Sequence, residues 1–473
     1  MPIIPKPKKY EENGILNIKP FIALDKELEF CKKAFVRVAK KAYGVYFKDG
    51  EDGLYVKYDC SLDNNEYKID GNTIYAKTDT GASYALATVL QLIEKSGEEF
   101  VLKNTKITDS PDSDFRGFML DLGRQFHPYE VLLNYIDLCY VNKVKYFQIH
   151  FTDNQIWTLP LASFPNAVTK GKCYTKEEIR YLVEYAHEAG VELIPEFEGI
   201  GHSQALNDAY PENFGNEFDE EEVDTEAAYN AEFKFKDNIM CIGRPNIFED
   251  IRTILKEIAE TFKYSKYIHV GCDEAVHEYW LRCKHCRKYM QEHSFETTKE
   301  MYCHFVKKIT DICLGLGRTP IVWEGFSKEG NDMISKDIVV VSWENTYQTT
   351  HELLDGGFKI INAAWIPNYI VPFRSFKKEV FDWKVAEKDW NIYKWGKWIK
   401  WAKEYEFFTV EPTDKVLGGM LCAWENTFEE ERDRIIENMP ATSDRTWNTN
   451  GYYSYQELEK AKEKLIDIEE KMI

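Results

Sequence analysis

From Phe115 onward, short apolar runs alternate with longer stretches whose apolar residues fall at helical spacing. The runs predict strands at Gly117–Leu122, Tyr146–Phe151, Glu192–Phe197, Tyr267–Cys272, Pro320–Trp323, Ile338–Trp343, Lys359–Ala363 and Gly419–Trp424. Amphipathic segments such as Lys176–Ala189 and Asn246–Phe262 lie between them. Eight such units in succession fit an α/β fold of the (β/α)8 TIM-barrel type better than an open sheet. The Gly-rich first turn of a doubly wound nucleotide-binding sheet is absent. Ahead of the barrel, strands at Gly53–Tyr58, Tyr67–Ile69 and Thr73–Ala76 and a helix over Gly81–Glu94 predict a small α+β domain. The turn-rich Asp109–Asp114 separates the two. Residues 1–112 are thus expected to form the small domain, and residues 113–473 the barrel, closed by an amphipathic helix from Tyr455.

Chemistry in such a barrel belongs at the C-terminal ends of the strands. There the sequence places Asp121 and Arg124, His150 and Asp153, Glu196 and His202, and the pair Asp273-Glu274. Three later strands end in Trp followed by Glu: Trp323-Glu324, Trp343-Glu344 and Trp424-Glu425. The seventh runs into Trp365 and Tyr369. Acids, His, Arg and indoles on one rim point to a carbohydrate pocket, since rings stack on apolar sugar faces while charged groups take the hydroxyls.

Composition narrows the picture. The 473 residues carry a net charge of −20, which argues against a nucleic-acid partner, whose binding needs clustered Lys and Arg. Aromatics reach 15%, with 12 Trp. The 11 Cys are odd in number and scattered, as expected of reduced thiols in a cytoplasmic protein. No signal-like N-terminus is visible, and no stretch approaches the ~20 apolar residues of a membrane span. The acidic stretch Asn216–Asn238 reads as a solvated excursion. In Phe381–Phe408 the spacing of Trp395, Trp398 and Trp401 predicts one helical face packed on the barrel. Cys283-Lys-His-Cys286 lacks a second ligand pair nearby apart from Cys272 and His277, so unliganded thiols, no metal and no cofactor are expected.

Read together, these segments resemble the family 20 glycoside hydrolases, the β-N-acetylhexosaminidases. His269-Val-Gly-Cys-Asp-Glu-Ala275 is similar to the family's His-x-Gly-x-Asp-Glu signature. Arg116–Arg124, His150–Gln155 and Pro195–His202 resemble its first three barrel strands. The resemblance implies a retaining exo-enzyme that removes terminal GlcNAc or GalNAc from an amino-sugar oligosaccharide or glycoconjugate, with the substrate's own 2-acetamido oxygen as nucleophile. It makes Glu274 the general acid and Asp273 the holder of the acetamido group. Repulsion between the neighbours should raise one pKa, which suits the acid. It further implies that Arg116 grips ring hydroxyls and that Tyr369 bonds the acetamido oxygen. Trp323, Trp343 and Trp424 wall the sugar, while Asp153 and His202 support the acid. The family's acid two residues past the last Trp is replaced here by Asn426, and the resemblance leaves Glu425 as its substitute.

Two other readings stand beside this one. A two-carboxylate glycosidase would pair Glu274 with Glu324 or Glu344 and would not require the acetamido group. A silent sugar-binding protein would have no need of a general acid.

Overall fold

The computed structural model describes residues 3–28, 30–96, 99–218, 238–372, 390–399 and 404–473. The leading domain is an eight-stranded mixed sheet ordered Lys9–Asn17, Glu99–Asp109, Tyr67–Asp70, Thr73–Ala76, Leu54–Tyr58, Phe21–Leu24, Lys48–Asp49, with Ile93–Ser96 paired to Glu99–Asp109. Strand Lys9–Asn17 is a polar, largely exposed edge, so it lacks the alternation that betrays a half-buried strand. Helix Asp79–Leu92 is apolar on every side. It is buried from Gly81 on because it packs on the sheet, on helix Lys32–Tyr43 and on barrel helix Tyr129–Val141.

The barrel strands are β1 (Phe115–Asp121), β2 (Tyr146–His150), β3 (Glu192–Gly199), β4 (Tyr267–Gly271), β5 (Thr319–Trp323), β6 (Val339–Ser342), β7 (Lys359–Asn362) and β8 (Val416–Ala423). Every neighbouring pair is parallel, and β8 pairs with both β1 and β7, closing the ring. Capping boxes at Thr175/Glu178, Thr297/Glu300, Thr349/Glu352, Thr427/Glu430 and Ser454/Glu457 fix where five helices begin. No helix among the described residues is long and apolar enough to cross a membrane.

Successive strand residues face opposite sides, and this alternation decides which residues reach the pocket. Phe115, Met119, Tyr146, Ile194, Tyr267, Ile321, Val341 and Met420 belong to one apolar cluster that fills the barrel. Phe118, Leu120, Phe147 and Ile149 belong to the separate core outside it. Phe115 stacks on Tyr146 at 4.6 Å, and Tyr146 meets Tyr267 edge-on at 5.4 Å, so aromatic rings close the barrel floor.

Arg116 lies one residue into β1, in phase with the outward-facing Phe118 and Leu120. Its guanidinium donates to the carbonyls of Ser113 (2.8 Å) and Lys143 (3.2 Å) and to the Tyr84 hydroxyl (2.5 Å). It also lies over the Trp447 ring. Beside it, buried Lys143 donates to Tyr67 (2.8 Å) and lies 3.7 Å from Asp109. Arg116 therefore joins the leading domain to the barrel base and does not reach the rim. Five residues of strand, about 16 Å, separate it from Asp121.

The Trp-rich segment also departs from expectation. Lys394–Ile399 and Glu404–Thr409 form an antiparallel pair, not a helix. Helical spacing therefore does not apply over Lys394–Ile399, where residues three apart face opposite sides of a strand. Trp395 is buried, with its N–H directed at the Ser342 carbonyl (3.3 Å). Trp383, Trp401 and most of the acidic excursion lie outside the described residues.

Candidate active site

The inward parity of the strands carries the rim chemistry. Gln148 and His150 follow Tyr146 in phase; Glu196 and Glu198 follow Ile194; His269 follows Tyr267; Trp323 follows Ile321. At β4 the alternation ends. Gly271, Cys272 and Glu274 have φ of 62°, 74° and 43°, a left-handed twist that lets consecutive acids serve one pocket. Close packing leaves no room for a side chain there. A Cβ at Gly325 would lie 2.2 Å from the Cys272 carbonyl oxygen, and one at Gly201 would lie 2.4 Å from that of Asp273.

Below the acids runs a chain of charged contacts. Arg124 lies 3.0 Å from Asp153, 3.6 Å from Asp121 and 4.0 Å from Glu425, with its guanidinium over the Trp424 ring. Asp153 meets His150 (3.0 Å) and His202 (3.2 Å). The other nitrogen of His202 reaches Glu274 (3.3 Å) and Asp273 (3.8 Å). His150 also contacts Glu196 (3.0 Å), which accepts from the Trp323 indole (2.6 Å) and from Gln148 (2.8 Å). Burial opposes charge on both His150 and His202, but the carboxylates around them hold both pKa values well above the usual histidine range.

The two acids differ. Burial, with the charges of Glu274 and Glu196, pushes Asp273 up to about 6, although His202 and Arg124 pull the other way. Its Oδ1 is buried without a hydrogen-bond partner among the described residues. Burial also acts to raise Glu274, but the hydrogen bond and charge of His202, with Arg124, outweigh it and leave the carboxyl below its ordinary value. The side chain of Glu274 is 49% exposed against 11% for Asp273, so the rise expected for the acid falls on its neighbour.

Over this layer stand the rings. Trp323 meets Trp424 at 5.6 Å and Trp343 at 6.4 Å. Trp343, Trp365 and Tyr369 stack with separations of 5.6 to 6.2 Å. Tyr369 also meets the Trp424 ring at 6.1 Å. Tyr347 lies near enough to Asp273 and Glu274 that, after burial, their charges help raise its pKa. Glu324 accepts the N–H groups of Asn345 (2.6 Å), Tyr347 (2.8 Å) and Gln348 (3.3 Å), so it latches the loop after β6.

Residues 114–450 match the model of the glycosyl hydrolase family 20 catalytic domain. The chain belongs to that family. It is 30% identical over 314 residues to a β-hexosaminidase of Vibrio furnissii, and 28% identical over 317 residues to one of Porphyromonas gingivalis. Each match covers 62% of this chain, but only 49% and 38% of those relatives. The fold is that of the Vibrio harveyi family 20 exo-β-N-acetylglucosaminidase solved with N-acetylglucosamine: TM-score 0.81 at 22% identity, covering 99% of this chain and 77% of that one.

Within this family 20 site the structure brings together Asp273, Glu274, Asp153, His202, Trp323, Trp343, Tyr369, Trp424 and, at the rim, Glu425. Arg116 is the exception, and Arg124 occupies the place expected of it. Parity along β1 was the available signal: Asp121 shares the phase of Phe115 and Met119, whereas Arg116 does not. Asn426 donates to the Ile370 and Trp424 carbonyls (2.9 and 2.8 Å), so the residue two past Trp424 supports the backbone.

Proposed function

We propose that this family 20 chain hydrolyses terminal, non-reducing β-linked N-acetylhexosamine with retention, using the substrate's acetamido oxygen as nucleophile. The observation that carries this reading is Asp273: a buried carboxylate with one oxygen unmatched, walled by rings and next to an exposed acid. A lone buried acceptor of this kind suits an amide N–H, and the ionised form offsets the charge of an oxazolinium ion. Trp323, Trp343, Trp365 and Trp424 would enclose the acetamido methyl and the sugar face, and the Tyr369 hydroxyl would donate to the acetamido oxygen. Arg124 would hold ring hydroxyls.

Glu274 gives its proton to the leaving oxygen as the acetamido oxygen closes on C1. It then takes a proton from the water that opens the oxazolinium. A sugar covering Glu274 strips water from its exposed side, which raises its pKa towards that of a proton donor. His202, between Asp153 and Glu274, aims the carboxyl. Glu324 is held by loop N–H groups, which disfavours the two-carboxylate reading in its Glu274–Glu324 form. None of the cysteines is paired in a disulfide, which supports a reducing, cytoplasmic setting.

The test compares initial rates on an aryl 2-acetamido-2-deoxy-β-glucoside, its β-galacto isomer and the plain β-glucoside, with NMR detection of the first anomer released. Cleavage confined to the acetamido sugars with β-anomer released first is expected. Equal cleavage of the plain glucoside, or release of the α-anomer first, would refute the proposal.

A further inference from the structure

Behind the pocket rim, a cysteine distant in sequence meets the Cys283-x-x-Cys286 pair. The Cys241 Sγ lies 3.6 Å from that of Cys283 and 3.5 Å from that of Cys286, and all three residues are buried. Tetrahedral zinc with Zn–S bonds near 2.3 Å places ligand sulfurs about 3.8 Å apart. Two edges of the cluster are therefore within a few tenths of an ångström of that geometry, and all three sulfurs lie within 4.8 Å of one another.

Backbone N–H groups face two of the sulfurs. Cys283 is the N-cap of helix Lys284–Glu292, so its sulfur faces the positive end of the helix. The Glu217 N–H points at the same sulfur (3.4 Å), and that of Gly243 at Cys241. Two chain segments must touch for the sulfurs to meet, and Gly243 permits it. A Cβ there would lie 2.2 Å from the His285 carbonyl oxygen and 2.8 Å from the Cys286 nitrogen. The Asn216 Oδ1 lies 3.4 Å from the Cys286 sulfur, close to the spacing of adjacent ligands on one ion.

We propose that Cys241, Cys283 and Cys286 hold a structural Zn2+ ion, with the Asn216 amide oxygen or a water in the fourth position. Soft thiolates in a buried tetrahedral set select zinc among the divalent ions. The ion would tie the Ile239–Ile242 stretch to the segment that follows the catalytic acids. Asn238 accepts the His202 N–H (2.6 Å) and donates to the Glu274 carbonyl (3.4 Å), while the Met240 carbonyl accepts from Trp280 (2.8 Å). The metal is thus placed to hold the rim from behind, without touching substrate.

The experiment measures metal in the full chain, purified without chelator or added metal, by plasma mass spectrometry alongside native mass spectrometry. About one zinc per chain is expected. The single variants Cys241→Ser, Cys283→Ser and Cys286→Ser should each lose it, and Cys60→Ser, at an exposed thiol, should keep it. Stepwise mercurial modification should release zinc in proportion to thiols consumed. Wild-type protein that carries no zinc and takes up neither Zn2+ nor Co2+ after anaerobic reduction would overturn the proposal, even if no variant folds. So would iron at the site, or a disulfide within the cluster found by intact mass. None of these readouts depends on glycosidase activity.

Discussion

Replacing Asp273 by Asn should make the protein more stable and less active. The carboxyl is buried and held at about 6, roughly two units above its ordinary value of 3.8. Each unit corresponds to about 1.36 kcal/mol, so keeping Asp273 ionised costs about 2–3 kcal/mol at neutral pH. The sign follows from the folded protein binding the proton more tightly than the unfolded chain. The favourable contribution is complete below pH 3.8 and lost as pH rises through about 6. Asp273→Asn removes that penalty. Urea unfolding at pH 7 should show the variant more stable by about 2–3 kcal/mol, with the two proteins converging towards pH 4. Activity should move the other way. Under the proposed mechanism, loss of a preorganised charge opposite the developing oxazolinium should lower kcat by about 10²–10³-fold on an aryl acetamido-glucoside. The wild-type kcat/KM should fall below pH 6, and this limb should vanish in the variant. A variant no more stable at pH 7, or one within tenfold of wild-type activity, would refute the reasoning.

Arg116, within the first barrel strand, and Arg124, three residues beyond it, should separate cleanly. Arg124→Lys should raise KM and lower kcat/KM by about 10²-fold without shifting the urea midpoint, since a forked contact is lost. Arg116→Ala should leave KM unchanged and destabilise by about 2–4 kcal/mol, because it strands buried acceptors at the domain junction. Gly325→Ala should displace Asp273 and lower kcat by about 10²-fold, and circular dichroism should report an unchanged fold. Asp137, buried between Arg37 (2.7 Å), Lys41 (2.7 Å) and Tyr185 (3.0 Å), links the leading domain to the barrel. Asp137→Ala should destabilise by about 3–5 kcal/mol, read by chemical denaturation.

The barrel was legible because each strand is an apolar run bounded by polar rim residues. The expected Tyr146–Phe151 and Lys359–Ala363 differ from the observed strands by one residue each. What was hidden depends on facing and distance. Whether Arg116 or Arg124 serves the pocket turns on strand phase, which the motif alone does not state. Cys241 precedes Cys283 by 42 residues, so no local spacing joins it to the Cys-x-x-Cys. The Trp395 hairpin was misread because indoles three apart satisfy a helical count while the backbone is extended. In the leading domain, Lys9–Asn17 was missed because an exposed edge strand carries almost no apolar pattern.

The left-handed residues of the rim bear on how this protein would respond to selection for heat resistance. Ile200, His202, Cys272, Glu274 and Glu425 all hold positive φ, and none is Gly or Asn. At about 1 kcal/mol or more each, they represent a conformational debt comparable to the whole margin by which a domain stays folded. That debt sits on one face, while the aromatic floor and the interdomain lock sit on the other. Thermal opening should therefore begin at the rim and leave the base protected, a gradient that amide hydrogen exchange would map. Laboratory evolution for thermostability alone should accumulate glycines at these positions and lose turnover as it does so. Evolution under a requirement for turnover would have to strengthen the base instead.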